Sequence, residues 1–134
     1  MKRAIAIALC SICLGAVPAL AHHSLSVYTM STYRTVEGTV KNFEWTNPHA
    51  RMVLMVAGGN GLATEWSFEG GGVGRLVNSG FTKATINPGD KITVAYSPLR
   101  DGKTGGFFIA VTTADGKLYA TDRFKNLKGS TPES

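Results

Sequence analysis

Three histidines, His22, His23 and His49, are the residues of this 134-residue chain best suited to chemistry. The first two follow a small-residue cleavage pattern, Ala19-Leu20-Ala21, so cutting after Ala21 makes His22 a new amino terminus. Its α-amine and imidazole Nδ1 then close a chelate ring on one metal ion. An imidazole from His23 or His49 completes a T-shaped or square-planar nitrogen set. Such a set suits Cu(II), or Ni(II), rather than Zn²⁺ or hard cations. The terminal amine titrates near neutral pH and can shed its proton to bind. The expected metal ligands are therefore His22, His23 and His49, with copper as the cofactor. A plainer reading competes: adjacent histidines at a terminus are often a solvated arm, and His49 then serves only its own turn.

The block from Glu44 to Arg51 holds the next group. Alternation puts Arg51 on the face of His49, and Glu44 lies on the far side of an Asn47-Pro48 turn. Glu44, Trp45, Asn47 and Arg51 are the expected ligand-binding residues if this rim takes a small molecule or a partner protein. The same polar groups can instead form a hydrogen-bond network that fixes the turn, because Asn-Pro turns commonly need side-chain support. That network is the favoured reading. His49 and Glu44 are the right types for general acid–base work, and a hydrolase is the third reading. No pattern singles out a nucleophile, so an enzyme is not expected. The run Gly70–Gly74 lacks the Lys-Ser/Thr of a phosphate loop and reads as a connector.

The elements that position these groups begin after a leader. Lys2 and Arg3 precede an uncharged apolar stretch, Ala4 to Val17, which has the layout of a secretory signal and is short for a membrane span. Residues 1–21 are expected to be removed, leaving 113 residues in the periplasm or outside the cell, with no stable membrane anchor. Both cysteines, Cys10 and Cys13, leave with the leader, so no disulfide, thiolate nucleophile or cysteine metal cluster remains. The remaining 12 basic and 9 acidic residues are scattered, without the concentrated stripe that nucleic acid requires.

Period-2 patterning predicts strands over 35–45, 50–57, 63–69, 91–97 and 107–113, with a further short one near 117–121. In the first, Val36, Gly38 and Val40 share a face, and the apolar phase then slips to Phe43 and Trp45. A slip of one residue predicts a β-bulge. Val73, Leu76 and Val77 fall on one face of a short helix that Gly80 ends. Trp66, Phe68, Tyr96 and Phe107 are expected mainly in the core, and Trp45 partly exposed. Three meandering strands, one helix, then two or three strands fit an all-β domain with one short helix, a small OB-like barrel of five to six strands. A β-sandwich is the alternative, but it gives the helix no role. The expected organisation is a signal over 1–21, an N-terminal arm over 22–34, the barrel over 35–121 and a polar flexible tail over 122–134.

Five segments occur together in this order: Ala21-His-His-Ser24, Val36-Glu-Gly-Thr-Val40, Glu44-Trp-Thr-Asn-Pro-His-Ala50, Trp66-x-Phe68-Glu69 and Pro88-Gly89-Asp90. Together they resemble a family of small exported bacterial proteins known as domain of unknown function 6152, over about His22 to Tyr119. The resemblance implies export and a compact β-barrel, and it draws attention to His22, His23, Asn47 and His49. It carries no activity. The function expected is that of an exported binding protein that takes copper or a similar late transition metal at its processed terminus. The alternative is a non-catalytic module holding a partner or small molecule on the barrel face.

Overall fold

A computed structural model describes residues 25–127. A 3-10 turn at Leu25–Val27 leads into strands β1 (Arg34–Glu44), β2 (Arg51–Ala57) and β3 (Ala63–Glu69). Helix α1 (Val73–Asn78) follows, then β4 (Lys91–Pro98), β5 (Gly105–Thr112), β6 (Leu118–Ala120) and helix α2 (Asp122–Leu127). Neighbours in the sheet run β3-β2-β1-β4-β5-β6, and β3 also pairs with β5. The first five strands therefore close into a barrel, with β6 added to one side and α1 between β3 and β4. This is the OB-like architecture that the element order predicts.

Strand alternation builds the core. Met52, Leu54 and Val56 of β2 point inward, and Arg51, Val53 and Met55 point outward. The interior gathers Val40, Phe68, Ile92, Val94, Tyr96, Phe108 and Val111 around them. The predicted bulge falls between Val40 and Asn42, where Lys41 has no partner on β2. The shift turns Phe43 toward Met52 and sets Glu44 opposite Arg51 on the outer face.

Closure depends on glycine. β3 and β5 run parallel only across Ser67–Gly105, Phe68–Gly106 and Glu69–Phe107. Gly105 has φ +99°, and a Cβ there would stand 2.0 Å from the Ser67 carbonyl oxygen. A side chain on Gly106 would meet the Ser97 carbonyl at 2.2 Å. β5 lies this close to β3 because Gly105 carries no side chain, and close to β4 because Gly106 carries none. The seam holds Glu69, the residue around which the site is built.

The structure departs from the sequence expectations in four places. Val77 is 54% exposed, so only Leu76 of the short helix is fully seated in the core. Phe81 and Ile86, on the irregular segment after that helix, plug the barrel end beside it at 1% and 2% exposure. Phe107 and Trp66 are half-buried rather than interior. In the Phe107-Phe108 pair strand alternation admits one ring only, and Phe108 takes the inward position. The segment after Thr121, expected to be a frayed tail, begins with α2. There Phe124 meets Tyr33 edge-on at 5.3 Å, and Arg123 Nη1 donates to the Met30 carbonyl at 3.1 Å. Its two apolar anchors, Phe124 and Leu127, are what the polar composition concealed. Among the described residues no helix is long and apolar enough to cross a membrane.

Candidate functional site

The β2–β3 ladder continues past its last side-chain rung through the backbone. The Gly70 N–H donates to the Ala50 carbonyl at 2.8 Å, and the Ala50 N–H to the Gly71 carbonyl at 3.2 Å. This fastens the end of the β1–β2 connection and presents His49 beside Glu69. His49 Nδ1 lies 3.0 Å from Glu69 Oε1, with the two side chains 31% and 17% exposed. The imidazole meets Phe107 edge-on at 6.3 Å. His49 Nε2 makes no hydrogen bond among the described residues.

The N-terminal arm approaches the same carboxylate. Tyr28 donates its hydroxyl to Glu69 Oε2 at 2.6 Å, and its ring packs on Phe107 at 5.6 Å. Two backbone hydrogen bonds hold this segment and make the Tyr28–Leu99 bridge: the Thr29 N–H donates to the Pro98 carbonyl at 2.8 Å, and the Arg100 N–H donates to the Val27 carbonyl at 2.9 Å. Arg100 Nε adds a bond to the Tyr28 carbonyl at 3.1 Å. Burial raises the Tyr28 phenol pKa, and the hydrogen bond to Glu69 and its charge raise it further. Tyr28 therefore remains a donor. His22 and His23, the terminal pair of the predicted copper set, lie outside the described residues.

A groove of about 510 Å³ opens on the outer face of β1, β2 and β3, beneath the arm and the β4–β5 connection. Glu44, Arg51 and Glu69 form one cross-strand row along it, with Val53, Tyr28 and Leu99 supplying apolar wall. The Arg51 side chain makes no hydrogen bond or ion pair among the described residues. Asp101 closes the groove, its carboxyl held below the usual range chiefly by the Lys103 backbone N–H at 3.0 Å.

The predicted ligand-binding residues divide. Glu44 and Arg51 share this groove. Trp45 faces a second one of about 490 Å³, with Phe43, Lys83 and Pro88. Asn47 Oδ1 accepts the Val73 N–H at 2.9 Å and so caps the start of α1. The four polar groups of the turn do not bond to one another: Asn47 holds the helix, His49 meets Glu69, and Glu44 accepts from Asn42 at 3.3 Å. The Asn47–Pro48 peptide is cis. Sequence reasoning passed over Glu69 and Tyr28. Trp66-x-Phe68-Glu69 shows an outward carboxylate, but nothing in it announces a histidine 20 residues away or a tyrosine 41 residues away.

Among the described residues no group of three or more His, Cys, Asp or Glu side chains is placed to hold a metal ion. The model of a family described as a family of unknown function, DUF6152, matches residues 9–108. No curated protein matches the chain.

Proposed function

The chain belongs to DUF6152, a family of unknown function, so its role has to be read from its own side chains, and we propose that it is an exported protein that binds Cu(II) or a similar late transition metal. His49 is the ligand carried by the barrel. His22, freed by removal of residues 1–21, supplies its α-amine and imidazole, and His23 supports the set.

One observation carries the reading: a carboxylate holds one ring nitrogen of His49 while the other is left without a partner among the described residues. Metal-ligating histidines are oriented in this way, since a hydrogen bond at one nitrogen fixes the ring and raises the basicity of the other. The described arm starts at Leu25, three residues after His22. Nitrogen donors of this kind favour copper over hard cations.

Titration of processed protein beginning at His22 tests the proposal. One equivalent of Cu(II) is expected to bind, with a d–d band and an EPR spectrum of nitrogen ligation. Adding one residue ahead of His22, or His49→Ala, removes a ligand. Either change is expected to weaken binding by more than the roughly 10- to 100-fold typical of changes behind the ligands. Unchanged affinity in both variants rejects the site.

The groove favours a second reading, a non-catalytic module that holds a small molecule or partner against β1–β3. Arg51 and Val53 line it and Trp45 does not. On this reading Arg51→Ala weakens partner capture, whereas Trp45→Ala leaves it intact.

A further inference from the structure

Glu69 stands between a residue of the arm and a residue of the barrel. Its Oε2 accepts from the Tyr28 hydroxyl and its Oε1 faces His49 Nδ1. A carboxylate only accepts, so the neutral imidazole engages it by carrying its proton on Nδ1, which leaves the lone pair on Nε2. Phe107 packs on the Tyr28 ring and against the edge of the His49 ring, so one aromatic side chain backs both partners of the carboxylate. Tyr28 itself is 6% exposed and sits on a backbone fastened to Pro98, Leu99 and Arg100. Withdrawing the arm takes its hydroxyl from Glu69, and the carboxylate loses the donor at Oε2.

We propose that Tyr28 is a positioning residue for His49, acting through Glu69, so that seating the arm and setting the imidazole tautomer are one event. The inference rests on the copper reading for its purpose, in which His49 is the barrel's ligand. An undocked arm leaves the tautomer of that ligand unset. Metal affinity then depends on arm docking as well as on ligand identity.

The test uses the full processed chain in two arms. Long-range ¹H–¹⁵N NMR of the metal-free protein reads the His49 tautomer. The expected result is Nδ1–H in the native chain and a mixture of tautomers in Tyr28→Phe, which keeps the ring and drops only the hydroxyl. Glu69→Gln is expected to mix the tautomers as well, with amide spectra away from the site unchanged. In the second arm, Cu(II) affinity falls by about 10- to 100-fold in Tyr28→Phe, with an altered EPR hyperfine pattern. An Nε2–H tautomer in the native chain overturns the inference. So does Tyr28→Phe that leaves both tautomer and affinity unchanged. Failure of the native chain to take up Cu(II) overturns the copper reading instead, while the NMR arm still decides whether Tyr28 sets the imidazole.

Discussion

Two tyrosines show how a single side chain feels its surroundings. Burial is the main reason that the phenols of Tyr28 and Tyr96 both resist ionisation in the folded chain. Below the ordinary tyrosine value of 10.0 both the folded and unfolded states keep these protons, and the pair leaves stability independent of pH. Above it the unfolded chain releases protons that the native chain retains, so stability declines with rising pH. Thermal melts on either side of pH 10.0 are expected to show a falling midpoint on the alkaline side, and Tyr28→Phe a shallower fall. At this scale the sequence shows residue types and not their partners. His49, Asn47, Glu44 and Arg51 stand out by type and spacing. Glu69 and Tyr28 do not, because their importance arises from pairing across 41 residues.

At the scale of elements, the five barrel strands, the bulge and α1 are legible because each is written in local periodicity. The seam between β3 and β5 is not, since it joins strands far apart in sequence and its signal is the absence of a side chain at Gly105. Gly105→Ala tests it. The substitution adds a Cβ in contact with the Ser67 carbonyl and also strains a backbone at φ +99°, at an expected total cost of about 3 kcal/mol. Gly116→Ala is the control: φ is +83° but nothing lies within 4 Å, so strain alone of about 1 kcal/mol is expected. Denaturant midpoints at constant slope distinguish the two. Loss of closure also displaces Glu69, so a Gly105 variant is expected to disturb His49.

For the whole molecule, the polar composition after Thr121 conceals a structural role. Helix α2 reaches back to the opposite end of the described chain through Phe124 on Tyr33 and Arg123 on Met30. Ending the chain at Thr121 removes both and is expected to cost about 2 kcal/mol, from lost aromatic burial and the edge contact. Thermal melts measure the cost. Hydrogen exchange at the Thr29 amide, which donates to Pro98, reports whether the arm has loosened.

That clasp has a temporal consequence. A polypeptide is made from its amino end, so the arm emerges first and waits for α2 before Tyr33 has its aromatic neighbour. A nascent chain halted anywhere before Phe124 lacks this support for the arm. Synthesis as far as α2 thus becomes a checkpoint on docking of the arm.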